Sequence, residues 1–230
     1  AAEQSTSYYG QLARAKLGLP QIELRNVPGS RSRGIERLEI VRATQLLYAL
    51  GKGDMAIPIL ADMGANGDPD AVLGLGELAA RHGDARGMLL AGKAAFNRGQ
   101  PFDFYAYPVS GIPPFRSIGP DVERSIIYAI ARQESAFNPS VVSPANAYGL
   151  MQVTPDAGRY VCKKYGASFD LRRLKTEPAY NAALGAAELG GLLDDYRGSY
   201  ILTFAAYNAG RGSVRKWIAR YGDPRDPGVD

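Results

Sequence analysis

Histidine and cysteine are almost missing from this chain: His82 and Cys162 are the one example of each in 230 residues. A zinc site made of several such ligands is therefore not available. A serine–histidine–acid triad would have to use His82. That residue precedes Gly83-Asp84 and reads as a helix end, where it suits the negative pole of the helix dipole. A lone cysteine forms no disulfide within the chain and does not report the compartment. Long apolar runs are lacking too, and none approaches the ~20 residues of a membrane span. The opening Ala1-Ala2-Glu3-Gln4 does not read as a signal peptide. Charge of one sign is scarce: the formal net charge is +4, with +2 in residues 1–117 and +2 in 118–230. No basic tail or stripe points to nucleic acid, and mild basicity fits an anionic polymer only weakly. No metal and no cofactor is expected. Hydrolytic or lyase chemistry here must rest mainly on carboxylates.

What is present is an ordinary globular composition, 46% apolar and 22% charged. Ser5 to Lys16 reads as a helix capped by Ser5 or Ser7 and stopped by Gly18-Leu19-Pro20. A loop containing Pro, Gly and Arg follows over 20–34. Glu36 to Leu50 reads as a helix with Leu38, Val41, Leu46 and Leu47 among its apolar positions. Gly53-Asp54, Gly67-Asp68 and Gly83-Asp84 then each precede a run rich in Ala and Leu. Gly can end one helix in a left-handed conformation while Asp caps the next. The repeat suits stacked helical hairpins of an α-superhelix, or a plain helical bundle. Either way residues 1–100 look like scaffold.

Gln100 to Pro120 holds five prolines, Pro101, Pro108, Pro113, Pro114 and Pro120, too dense for a regular helix. The domain boundary is placed near residue 116, giving domains 1–116 and 117–230. Beyond it Asp121 is a candidate cap for a helix ending at Glu134. Thr154-Pro155-Asp156 is a helix start, with Thr as cap and Pro at the first position. Further helices are expected to Tyr165-Gly166, from Pro178 to about Tyr196, over Ser199 to Asn208, and over Val214 to Tyr221 with Ser213 as cap. No strand stands out, so the fold class is all-α.

In the first of these helices Ile127, Ile130, Ala131 and Glu134 share one face. The stripe is apolar until its last member. A carboxyl group there either reaches water at the helix end or is desolvated, which raises its pKa. A raised pKa is what a general acid needs at neutral pH.

Three segments carry unusual residues. They are Ala131-Arg132-Gln133-Glu134-Ser135-Ala136-Phe137-Asn138-Pro139, Ser143-Pro144 with Gly149-Leu150-Met151-Gln152, and Ala206-Tyr207-Asn208-Ala209-Gly210. In order and spacing these resemble the soluble lytic transglycosylase family. The resemblance covers roughly residues 116–221, and the helical stretch before it is similar to that family's superhelical part. It implies a mainly helical, goose-lysozyme-like catalytic domain. It implies an exported, periplasmic enzyme whose partner is the glycan strand of peptidoglycan. Glu134 matches the catalytic acid. It would protonate the oxygen between N-acetylmuramic acid and N-acetylglucosamine, then take the proton of the muramic C6 hydroxyl as a 1,6-anhydro ring closes. One carboxyl group switching from acid to base is ordinary microscopic reversibility, and an internal hydroxyl has a high effective molarity.

Ser143, Met151, Gln152, Tyr207 and Asn208 match positions lining the substrate groove. Hydroxyls and amides suit the acetamido and hydroxyl groups of sugars. For Gln152 a buried amide bonding backbone is the lesser alternative, while Asn208 reads equally as a helix-ending residue. Gly149 suits close backbone approach, Leu150 suits the core, and Met151 suits either role. The family's domain continues past the position of Asp230, so a further C-terminal segment is implied. Two other readings stay open: a muramidase using water on the same fold, and a non-catalytic peptidoglycan-binding scaffold. The acid on an apolar stripe argues against the scaffold.

Overall fold

The computed structural model describes residues 2–3, 5–20, 22 and 34–229. Most of the expected 20–34 loop lies outside the described residues. The chain forms two compact units, Ala1–Pro108 and Val109–Asp230. Among the described residues the secondary structure is helical apart from two isolated bridges, Val142 with Tyr148 and Tyr148 with Val153. The all-α expectation holds. No helix among these residues is long and apolar enough to cross a membrane.

The first unit contains α1 (Tyr8–Lys16), α2 (Glu39–Ala49), α3 (Gly53–Asn66), α4 (Pro69–Arg81), α5 (Ala85–Asn97) and the short α6 (Asp103–Ala106). Ser7 caps α1, its hydroxyl accepting from the Gly10 N–H. Asp68 and Asp84 cap α4 and α5 in the same way. The first Gly-Asp pair behaves differently, because α3 already begins at Gly53 and Asp54 lies inside its first turn. Gly83 takes the left-handed conformation, but Gly67, at φ −73°, does not. The expected helix from Glu36 is broken: Ile35–Arg37 is a 3-10 turn, and the extended backbone at Leu38 delays α2 to Glu39. Leu46 is exposed rather than on the buried face, which Val41 and Thr44 provide. His82 ends α4 and stacks on the Tyr48 ring at 4.4 Å, a packing role.

Val72, Leu75, Leu60, Met88 and Tyr105 centre the core of this unit. Small residues let its helices approach closely. A Cβ added at Gly92 would lie 2.6 Å from the backbone nitrogen of Ala106 and the carbonyl carbon of Tyr105.

The second unit contains α7 (Arg124–Glu134), α8 (Pro155–Tyr165), α9 (Leu171–Thr176), α10 (Pro178–Asp195), α11 (Tyr200–Ala209) and α12 (Arg211–Tyr221). From Tyr180 to Leu192 every residue of α10 is buried except Glu188, which is partly so. A helix buried all round serves as the core of its domain, and α7, α8, α9 and α11 all pack on α10. Thr154 caps α8 and Gly166 ends it in the left-handed conformation, as expected. Ser199 caps α11. Two expected caps are not used. Glu123, not Asp121, stands at the start of α7, and the Asp121 carboxylate instead accepts from the Ser117 hydroxyl at 2.7 Å. The chain turns at Gly210 straight into α12, so that helix starts two residues before Ser213.

Gly92→Ala meets backbone atoms rather than a mobile side-chain end. Overpacking of this kind costs about 1–3 kcal/mol. A lowered melting temperature for the first unit is the expected outcome, measured by thermal unfolding.

Candidate active site

The site is built where α7 stops. Glu134 is its last residue and is half-buried. Burial pushes its carboxyl pKa above the ordinary glutamate value, and desolvation is the cause. The chain then reverses through Ala136 and Phe137, both left-handed at φ 49° and 59°. Non-glycine residues rarely adopt this conformation. It is held here by the burial of Phe137 and by a bond from its N–H to the Ala131 carbonyl at 3.3 Å. The Ser135 hydroxyl lies 2.9 Å from the Leu150 carbonyl and 3.1 Å from that of Ala131. The end of α7 is thereby tied to the segment carrying the second motif.

That segment is a compact loop. The Ser143 N–H donates to the Ala147 carbonyl, and the Ser143 hydroxyl accepts from the Ala147 N–H at 3.1 Å. Gly149 is left-handed at φ 69°, and a Cβ there would lie 2.8 Å from Asn181 Nδ2. The close approach expected of Gly149 is real, and its partner is a side chain on α10. Asn181 is buried in that helix. Its Oδ1 accepts from the Met151 N–H at 2.9 Å, and its Nδ2 donates to the Tyr148 carbonyl at 2.6 Å. One amide thus satisfies both edges of the Gly149-Leu150 turn.

Gln152, at φ 49°, is a third left-handed residue of this loop, after Asn146 and Gly149. Its Nε2 donates to the Val141 carbonyl at 3.3 Å and to the Gly149 carbonyl at 3.1 Å. The amide therefore does bond backbone, one of its two expected roles. Leu150 is in the core, as expected. The Met151 side chain is fully buried too, while its carbonyl accepts from the Tyr207 hydroxyl at 2.7 Å. Burial, then the carboxylates of Glu134 and Glu188, push the Tyr207 pKa well above its usual value. Tyr207 therefore faces the field of Glu134 from α11. Asn208 follows it and is exposed.

Hydrogen bonds tie Gln152 and Tyr207 to the Gly149-Leu150-Met151 backbone, and Ser135 ties the same backbone to the end of α7, where Glu134 stands. Ser143 sits at the far end of the same loop. An apolar cavity of about 340 Å³ elsewhere in the unit is lined by Pro114, Ile118, Pro120, Ile127 and Tyr128, and Glu134 is not part of its wall.

Three residues of the site escaped the sequence reading. Asn181 is one. The others are Glu188 and Arg211, an ion pair at 2.5 Å linking α10 to the start of α12. The available signal was a polar residue inside the Ala- and Leu-rich run of α10.

Residues 117–227 match the family model described as the transglycosylase SLT domain. The second unit belongs to that family. A soluble lytic murein transglycosylase from Salmonella typhimurium is 40% identical over 102 residues, covering 44% of this chain and 16% of that protein. The chain therefore spans less than a fifth of that relative's length. The crystal structure of the 70 kDa soluble lytic transglycosylase from Escherichia coli superposes with a TM-score of 0.71 at 23% identity, covering 92% of this chain and 35% of that one. An inactive Glu-to-Gln mutant of the lytic transglycosylase Slt from Pseudomonas aeruginosa superposes with a TM-score of 0.68 at 25% identity, over 91% of this chain and 35% of that one. The mainly helical, lysozyme-like fold expected for the chain is the one it has.

Two tests follow from the geometry. Asn181→Ala strands the Met151 N–H and the Tyr148 carbonyl, and a buried group left unpaired costs about 1–3 kcal/mol. A clear fall in melting temperature is expected, larger than for an alanine at an exposed site. The second test concerns pH. Glu134 has its folded pKa raised, so the folded state binds its proton more tightly than the unfolded state does. Stability from this source is fully present below the ordinary glutamate pKa and is lost as pH rises through the folded value. Glu134→Gln cannot ionise. The melting temperature of the variant relative to wild type should therefore climb between acid and neutral pH, and a flat difference would show that Glu134 is fully solvated.

Proposed function

We propose that the chain cleaves the bond between N-acetylmuramic acid and N-acetylglucosamine in peptidoglycan without water, leaving a 1,6-anhydro-muramyl end. The observation that carries this reading is Glu134, a half-buried carboxyl with a raised pKa at the end of α7. In the proposed reaction its proton passes to the glycosidic oxygen as the bond from that oxygen to muramic C1 breaks. The muramic C6 oxygen then bonds C1, and its proton returns to the Glu134 carboxylate. Atoms and charge balance within substrate and one side chain. The names of the Salmonella and Pseudomonas relatives support this assignment, as does the loss of activity on a Glu-to-Gln change in the latter.

The remaining roles follow from which hydrogens are already committed. Gln152 has both amide hydrogens on backbone carbonyls, so it would meet the glycan through Oε1, as an acceptor from an acetamido N–H or a hydroxyl. Tyr207 donates its hydroxyl hydrogen bond to the Met151 carbonyl and would likewise accept. Ser143 uses its oxygen to accept from Ala147, which leaves its O–H to donate. Asn208 is exposed and would supply both donor and acceptor. Met151 would contribute through its carbonyl, holding Tyr207 against the Glu134 side of the groove. Residues 117–230 are the catalytic part in this reading and residues 1–116 the scaffold. The working compartment is the periplasm, where peptidoglycan lies.

Water would serve instead of the C6 hydroxyl in a muramidase. Most glycosidases use a second carboxylate, and the other acid whose field reaches Tyr207, Glu188, is already bound to Arg211. Mass spectrometry of products from purified sacculi separates the two reactions, since only the lyase yields anhydro-muropeptides. Glu134→Gln should lower their release toward the upper end of the ~10²–10⁴-fold range of general acid–base catalysis, because one residue serves both steps. Near-normal turnover by the folded variant would move the chemistry to another acid.

A further inference from the structure

Arg211 directly follows the Tyr207-Asn208-Ala209-Gly210 segment and opens α12. Its Nη1 lies 2.5 Å from Glu188 Oε1 and its Nε 3.0 Å from Asp195 Oδ2, both acids of α10. Its guanidinium carbon lies 4.8 Å from the centre of the Tyr160 ring on α8. Lys164 shares Asp195 at 3.4 Å. The Glu188 side chain is 13% exposed and that of Arg211 26%, so the pair is mostly out of water.

We infer that Arg211 is a positioning residue for the proposed reaction: its grip on Glu188 and Asp195 fixes the α11–α12 corner so that Tyr207 meets the Met151 carbonyl beside Glu134. The connections form a closed circuit. Asn181 and Glu188 stand seven residues apart on α10 and so on one face of it. Asn181 holds Met151, which carries the acceptor of the Tyr207 bond. Glu188 holds Arg211, four residues beyond Tyr207 and across the Gly210 turn, and Tyr207 carries the donor. A single helix thereby sets both ends of a 2.7 Å hydrogen bond between segments 56 residues apart.

The pair suits this task better than it suits stability. Two charges removed from water gain little net stability, whereas removing one partner leaves the other uncompensated. Without Arg211, Glu188 must find water or a proton, and the corner carrying Tyr207 and Asn208 is free to shift. Arginine's planar fork reaches two carboxylates at once, which lysine, a point charge, does not do as well. Glu188 itself is a support rather than a second acid in this reading.

The inference rests on the proposed function, and its test separates the two. Tyrosines are labelled with ¹³C at Cζ in the whole chain, and the Tyr207 resonance is assigned with Tyr207→Phe. Arg211→Ala should move or broaden that resonance. It should lower kcat for anhydro-muropeptide release by ~10- to 100-fold, the scale of a small mispositioning, with KM changed less than about threefold. Arg211→Lys keeps the charge against Glu188. It should restore the melting temperature and part of kcat, which keeps the test sound if the alanine variant folds poorly. An unmoved Tyr207 resonance in a folded Arg211→Ala protein overturns the inference, whatever the activity, and so does an Arg211→Lys protein whose Tyr207 resonance is unmoved while kcat is still lowered ~10- to 100-fold. A resonance moved by Arg211→Ala, together with a wild-type protein that releases no anhydro products, supports the positioning and sinks the proposed reaction instead.

Discussion

One side-chain amide, Asn181, holds the second unit's chemistry in place. It sits inside a helix buried on almost all sides, where an unpaired polar group is costly. Its oxygen and nitrogen must both find partners, and both find them in the turn around Gly149 and Leu150. Satisfying the amide and shaping that turn are the same event. From there Leu150 reaches Ser135 and the end of α7, and Met151 reaches Tyr207 and α11. Small residues in and around α10 let the surrounding segments come close enough for these bonds to form.

The charges follow a similar economy. Glu134 ends an apolar helix face and has no cation among the causes acting on its pKa, so burial alone sets its proton affinity. Glu188 on α10 is paired with Arg211. Two carboxyl groups in one small domain thus have different surroundings, one desolvated with no ion-pair partner and one held by a guanidinium. Tyr207 lies within the field of both, which keeps its phenol protonated and its hydroxyl fixed on Met151.

Local chemistry was legible in the sequence, and meeting places were not. Thr154-Pro155-Asp156, Ser199, Asp68 and Asp84 act as caps because a cap needs only its own next three residues. Asp121 failed as a cap because Ser117 offered its carboxylate another partner, and Ser213 failed because the turn at Gly210 let α12 begin early. Glu134 was readable from its stripe and its motif. Gln152 was ambiguous, and only the fold shows its amide hydrogens on the Val141 and Gly149 carbonyls. The roles of Asn181, Glu188 and Arg211 could not be read, even though polar residues stood out in the Ala- and Leu-rich run of α10. The partners of Asn181 lie 30 and 33 residues away, and Glu188 and Arg211 are 23 residues apart, so each role depends on which helices touch rather than on any neighbouring residue.

The left-handed backbone at Gln152 has a consequence for how this domain can change. Glycine would adopt that conformation with less strain, but it would give up the two bonds the amide makes to the Val141 and Gly149 carbonyls, so strain relief and hydrogen bonding pull in opposite directions at position 152. In the proposed reaction the same step would also delete the side-chain amide oxygen that meets the glycan. Phe137 is held more firmly still, since glycine there would leave a cavity where its buried ring now packs, whereas Ala136 has only a methyl group to lose. A laboratory lineage evolved only for ruggedness would therefore try glycine first at Ala136, and the left-handed residues it left alone would mark where side-chain contacts hold the strain in place.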